Sequence, residues 1–193
     1  MKNRVITISR QFGCGGRTIG KMVAEKLGIP CYDQELIEMF ANESGYSEEY
    51  ITQIEEESTH RNLFSRLSDR AWQSSYLQVG LWNSQQRVIR DLADKGPCVI
   101  VGRCADYILR DHADCLRVFI HADMEKRAER IVRVYGERED PPMKRLTDKD
   151  KRRKAYYELY TDRNWGDAEN YHICLNSGEL GFDTCIKILT DLY

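Results

Sequence analysis

No stretch of the sequence approaches the roughly 20 consecutive apolar residues that span a bilayer. The opening Met1-Lys2-Asn3-Arg4-Val5-Ile6-Thr7-Ile8-Ser9 also lacks the apolar run of a secretory signal. The expectation is a cytoplasmic protein with no membrane partner. Missing too is any C-x-x-C pair, or any histidine at zinc-ligand spacing from the seven cysteines at 14, 31, 98, 104, 115, 174 and 185. Scattered thiols of this kind read as free and packed as small hydrophobes, with Cys31, Cys98, Cys174 and Cys185 lying in or beside apolar segments. A large excess of one charge is absent as well. The net charge of −2 gives the protein as a whole no field for nucleic acid. There is no internal repeat and no low-complexity tract.

What is present is enough for one domain, or one domain with a small mobile insert: 193 residues, 41% hydrophobic and 31% charged. Short apolar, β-branched runs alternate with helical patterns, the signature of an α/β fold. Val5–Ile8, Ile29–Tyr32, Cys98–Val101, Leu116–Ile120 and Tyr171–Leu175 read as strands. The helix after the first carries Ile19, Met22, Val23 and Leu27 on one face and stops at Gly28. Asp33 and Asp123 stand where helix caps are needed, and Thr147-Asp148-Lys149-Asp150 resembles a capping box. The last helix carries Phe182, Ile186 and Leu189. Strands joined by crossover helices predict a parallel five-stranded sheet flanked by helices. Residues 34–95 show helical patterns, including Val88, Ile89, Leu92 and Ala93, and read as a helical insert. Gly136 to Thr147, with Pro141 and Pro142 among charges, reads as a mobile loop.

Gln11-Phe12-Gly13-Cys14-Gly15-Gly16-Arg17-Thr18 follows the first strand and opens a helix. Glycines let backbone N–H groups turn toward an anion, and the helix N-terminus adds its positive end. Set against G-x-x-x-x-G-K-[ST], Gln11 stands at the first Gly, Gly16 at the second, Arg17 at the Lys and Thr18 at the magnesium-ligating hydroxyl. Arg is a competent phosphate ligand in place of Lys. The expectation is a phosphate-binding loop of a P-loop NTPase fold. Cys14 lies within it, where a helix N-terminus and a neighbouring Arg act to lower a thiol's pKa; it reads as a spacer.

Arg103 and Asp33 each follow a strand at the carboxyl edge of the sheet, where open α/β folds bind ligands. Arg103 has Asp106 as a possible partner. Basic residues crowd the stretch from Arg127 to Lys154. Arg127 and Arg130 share a helix face, and Arg152, Arg153 and Lys154 follow the Pro-containing loop. Phosphoryl transfer needs positive charge and exclusion of water, which a lid flanked by arginines supplies. The aromatics Tyr156, Tyr157, Tyr160 and Trp165 read as packing rather than as base-stacking platforms.

Two segments together resemble the cytidylate kinase-like proteins: Ile8-Ser9-Arg10-Gln11-Phe12-Gly13-Cys14-Gly15-Gly16-Arg17, and Leu27-Gly28-Ile29-Pro30-Cys31-Tyr32-Asp33-Gln34-Glu35-Leu36-Ile37. Val101-Gly102-Arg103, Lys151-Arg152-Arg153-Lys154-Ala155-Tyr156-Tyr157 and Trp165-Gly166-Asp167 with Asn170-Tyr171 extend the likeness over nearly the whole chain. It implies a nucleoside monophosphate kinase fold with a core (about 1–33, 96–135 and 166–193), an acceptor-binding insert (about 34–95) and a lid (about 136–165). The implied reaction takes ATP, with Mg2+, and CMP or dCMP to ADP and the diphosphate. On this reading Gly13, Cys14, Gly15 and Gly16 cradle the β-phosphate, Arg17 binds the β- and γ-phosphates, and Thr18 the magnesium. Arg103 holds the acceptor phosphate, Asp33 or Asp106 reads its sugar or base, and Arg127, Arg130, Arg152 and Arg153 supply the lid clamps. Three alternatives stay open: a kinase for another small acceptor, a nucleotide-binding regulator with little turnover, and a nucleic-acid binder using the basic stretch. Oligomeric state is left open.

Overall fold

Val5–Arg10 (β1) is buried along nearly its whole length, polar Thr7 and Ser9 included, so it has cover on both faces and needs a partner on both edges. In the computed structural model, which describes residues 4–51 and 69–193, it has both. β1 pairs in parallel with Cys98–Val101 (β3) on one side and Cys115–His121 (β4) on the other. Cys31–Tyr32 (β2) and Ile173–Asn176 (β5) close the edges, giving the order β2-β3-β1-β4-β5, all parallel.

Side chains alternate between two cores with the strand's period of two. Ile6, Ile8, Val99, Val101, Val118 and Ile120 face Gly16–Leu27 (α1) and the last helix, Phe182–Asp191. Val5, Cys98 and Ile100 face the other way, onto Leu36 and Phe40 of Glu35–Ser44 (α2) and Ile89 and Leu92 of Asp69–Lys95 (α3). Among the described residues the remaining α-helices are Ala105–Ile108 (α4), Met124–Tyr135 (α5), Pro142–Thr161 (α6), Ser177–Leu180 (α7) and Phe182–Asp191 (α8). The chain steps outward from β1 to β2, returns to β3, then crosses to β4 on the far side of β1. The carboxyl end of β1 is therefore the topological switch point.

The strands, α1 and the flanking insert helices fall where the sequence places them; residues 52–68 of the insert lie outside the described residues. Other local expectations are corrected. The second half of the stretch read as a loop from Gly136 to Thr147 is helix, because α6 already starts at Pro142. Proline suits a helix's first turn, where its missing N–H has no partner to lose, and it pushes the preceding Pro141 into an extended conformation. Thr147 opens no helix. Inside α6, its hydroxyl donates back to Met143 C=O at 2.9 Å. Asp33 does not cap α2, whose N-cap is Gln34, and Asp123 sits at the N-cap of α5 without a side-chain cap bond. Cys174 is exposed rather than packed, because β5 is an edge strand.

Candidate active site

The loop after β1 is stitched to the end of β4. Gln11 N–H donates to Ile120 C=O at 3.0 Å, and the Gln11 side-chain oxygen accepts from Ala122 N–H at 3.2 Å. Gly13 and Gly15 then take φ of 83° and 85°, the left-handed region that glycine enters without strain. A Cβ on Gly13 would lie 2.9 Å from Ile131, and one on Gly15 would enter the Phe182 ring. Ile19 N–H makes the first helical bond, to Gly15 C=O, so the N–H groups of Gly16, Arg17 and Thr18 have no carbonyl partner within α1, the arrangement that suits a helix N-terminus to an anion.

This backbone moves the phosphate-loop register back by one residue. Gly15, left-handed at the N-cap, is the glycine that ends the loop, and Gly16 is the first helical residue. The Lys position thus falls on Gly16, the hydroxyl position on Arg17, and the first Gly, five residues before Gly15, on Arg10. Arg17 directs its Nε to Asp33. The Thr18 hydroxyl accepts from Arg130 Nη2 at 3.1 Å. Cys14 turns its thiol into the core, donating to Ile120 C=O at 3.3 Å, and burial raises its pKa against the lowering effects of the Gly16 N–H and nearby arginines. Burial wins, so Cys14 is a spacer whose side chain is inert.

α6 is fastened to this loop. Asp150 accepts from Phe12 N–H at 2.7 Å and from Arg127 Nη1 at 2.6 Å. Arg127 is 5% exposed and also donates to Ala122 C=O and Phe12 C=O. Expected as a phosphate clamp, it is a strut whose Nε and Nη1 are both spent on the protein. Its neighbour Arg130, on the same face, does reach the loop's cavity. Arg153 donates to Arg10 C=O at 3.0 Å.

On the acceptor side, β3 runs into Gly102, Arg103 and Cys104, all with positive φ (82°, 57° and 53°). For the two non-glycine residues this costs about 1–3 kcal/mol each and persists only if the surroundings enforce it. Gln85 of α3 does so: its Nε2 donates to Arg103 C=O at 2.8 Å, and its Oε1 accepts from the Tyr156 hydroxyl of α6 at 2.8 Å. The Arg103 guanidinium lies 5.8 Å from the Phe40 ring centre. Asp106, expected to pair with Arg103 or read the acceptor, does neither. It is 2% exposed and accepts from Ser9 and Tyr157 hydroxyls at 3.2 and 2.8 Å. Burial raises its pKa, partly offset by those bonds. The aromatics pack as expected: Tyr157 on Asp106, Tyr160 stacked on Trp82, and Trp165 edge-on to Phe119.

Two cavities meet at the carboxyl edge of the sheet. One of about 700 Å³ opens over Gly13, Gly15, Gly16 and Thr18. The other, about 370 Å³, contains Asp33, Arg103 and Trp165. Arg10, Arg17, Lys149, Arg152 and Arg153 line both. The structure thus gathers Arg17, Arg103, Arg130, Arg152, Arg153 and Asp33 and leaves out Arg127 and Asp106. Sequence reasoning missed Arg10, Lys149 and Gln85. Arg10 had a signal, since it precedes Gly15 by the motif's glycine spacing; Gln85, far along the insert, had none.

The family model for the cytidylate kinase-like family matches residues 5–179. The cytidylate kinase of Archaeoglobus fulgidus is 28% identical over 191 residues, covering 95% of this chain and 91% of that protein. A crystal structure from Eubacterium ventriosum superimposes with a TM-score of 0.74 at 27% identity, covering 98% of this chain and 97% of that one. Shikimate kinase from Bacteroides thetaiotaomicron shares the fold, with a TM-score of 0.54 at 16% identity and coverage of 98% and 97%. With its parallel sheet, its glycine loop at the switch point and this match over most of its length, the chain belongs to the cytidylate kinase-like family, and it is an ATP-dependent phosphotransferase with a P-loop kinase fold.

Proposed function

We propose that the protein is a nucleoside monophosphate kinase that transfers the γ-phosphate of ATP to CMP or dCMP. The observation that carries this reading is the shared row of cations between the two cavities. ATP lies in the larger cavity, with its phosphates on the N–H groups that open α1. The monophosphate lies in the smaller, with its phosphate toward Arg103 and its sugar or base within reach of Asp33. The phosphates then approach each other where Arg10, Arg17, Lys149, Arg152 and Arg153 converge, so charge developing on the migrating group meets positive charge on several sides. No general base is needed, because a phosphomonoester is already ionised near neutral pH and positioning does the remaining work.

The residues present do not fit a magnesium ion held by the protein. The Thr18 hydroxyl accepts from a guanidinium, and Asp33 and Asp150 are both ion-paired to arginines. Among the described residues no acidic, His or Cys cluster forms a metal site. Magnesium enters with ATP, bound by phosphates and water.

Following ADP formation for CMP, dCMP, UMP, AMP and GMP at fixed ATP and magnesium tests the proposal. CMP and dCMP are expected to exceed the others in kcat/KM by about tenfold, worth about 1.4 kcal/mol, the scale of one or two polar contacts to the base. If ATP binds but no monophosphate raises the rate above the ATP-only background, the kinase reading fails and a nucleotide-binding regulator replaces it.

A further inference from the structure

The observed register leaves the loop without its lysine. Gly16 holds that position, and Arg10 holds the position of the loop's first glycine. These two departures touch each other: a Cβ placed on Gly16 would lie 2.6 Å from Arg10 Cβ and 3.0 Å from its Cγ. The stem of Arg10 therefore fills the space into which a side chain at residue 16 would grow. We infer that the glycine and the cation of the phosphate loop have exchanged places, so that Arg10, reaching in from the end of β1, supplies the charge on the β- and γ-phosphates that a lysine at the helix start supplies in the usual loop. The inference rests on the ATP site proposed above and adds a catalytic residue to it.

The path of the Arg10 side chain agrees. Its guanidinium lies against the backbone of Gly102, where any Cβ would collide with Nη1, and comes 3.9 Å from Asp33. Arg10 therefore crosses from β1 to the end of β3 and lines both cavities, at the junction where a phosphoryl group would pass. Gly102 is the second glycine this side chain requires. Arg17 does not compete for the role, being 43% exposed with its Nε on Asp33. Arg10 is also held from behind, since Arg153 Nη1 donates to its carbonyl. Burial, and then Arg153, lower the Arg10 pKa to about 9, with Asp33 opposing. A cation so crowded by other cations is relieved by a multiply charged anion.

A reciprocal swap in the full-length protein tests this. Arg10→Gly, Gly16→Lys and the double variant are compared with the parent for melting temperature, for affinity toward ATP and AMP, and for turnover of the best acceptor. Arg10→Gly is expected to lose about 100-fold in kcat, the scale of removing one electrostatic donor, and most of the preference for ATP over AMP. Gly16→Lys alone is expected to melt lower, because Arg10 occupies the space. The double variant restores the ordinary loop and is expected to recover at least about tenfold in kcat over Arg10→Gly, together with the preference for ATP. An Arg10→Gly variant that keeps the parent's ATP-over-AMP preference overturns the inference, as does a double variant that melts like the parent but performs like Arg10→Gly. A parent that binds ATP yet phosphorylates no acceptor sinks the kinase reading instead. The ATP-over-AMP comparison then still decides the role of Arg10.

Discussion

The donor loop and the acceptor turn both present backbone at the carboxyl edge of the sheet, but they are made of different materials. In the donor loop, glycines take the left-handed positions, and α5, α6 and α8 close so tightly around them that no Cβ fits at residues 13 and 15. Its shape is paid for locally. In the acceptor turn, Arg103 and Cys104 take the same conformation with side chains attached, and a hydrogen-bond chain from two distant helices keeps them there. A loop of the first kind needs no side chain to hold its left-handed positions, because glycine enters them without strain. The second kind depends on a side chain of the insert helix α3 as well as on α6, so acceptor geometry is coupled to the insert while the donor loop is tied to α5, α6, α8 and β4.

The largest test of this contrast is Gly15→Ala. It adds a left-handed strain of about 1–2 kcal/mol to an overpacking cost of about 1–3 kcal/mol against Phe182, and a loss of about 2–5 kcal/mol is expected in denaturant unfolding, with ATP binding lost alongside. A variant that melts like the parent would show the donor loop to be pliable. Next comes Arg103→Ala, expected to lower kcat/KM by about 2–4 kcal/mol with ATP affinity retained. Equal losses of ATP binding and turnover would mean that the two halves of the site are not separate.

Gln85→Ala leaves Arg103 C=O and the Tyr156 hydroxyl without the partner that ties them, at about 1–3 kcal/mol. The acceptor KM should rise while ATP affinity stays constant, measured by steady-state kinetics beside an ATP titration; an unchanged KM would free the turn from its dependence on α3. The smallest effect concerns Asp106, in the helix that follows the turn. Burial raises its carboxyl pKa in the folded state, so its contribution to stability is complete below the unfolded carboxylate range and is lost as pH rises through the folded value. Asp106→Asn removes that loss. The variant should melt a degree or so above the parent at about pH 8 and level with it at about pH 3.5. A gap independent of pH would show that ionisation of Asp106 has no bearing on stability.

Much of the fold was legible in the sequence because β1, β3 and β4 are largely buried on both faces and so carry short runs dominated by apolar, β-branched residues. The glycine loop was legible too, but not its register. Gly15 and Gly16 are adjacent, either can be matched to the motif's last glycine, and only the left-handed φ at Gly15 decides between them. Helical spacing placed Arg127 and Arg130 together but could not show that Asp150, more than twenty residues on, claims only the first. Pro141-Pro142 looked like a loop, because the residues that break a helix's middle are the ones that suit its start. Gln85 reaches Arg103 only through the packing of α3, and nothing local to either residue signals that bond.

Asp150 gives α6 a fulcrum. Its carboxylate is pinned to the Phe12 amide and to Arg127, so the helix cannot be lifted off the donor loop without breaking a buried ion pair, a step that costs several kcal/mol. The near side, from residue 137 through the first two turns of α6, carries Arg145 and Lys149 over the larger cavity and is seated by Leu146, which is fully buried against Gly13. The arm beyond the fulcrum, with Arg153 and Tyr156, stays seated on Arg10 and Gln85. Both arms of α6 thus end on the walls of the two cavities, and displacing the helix at Asp150 would uncover both together.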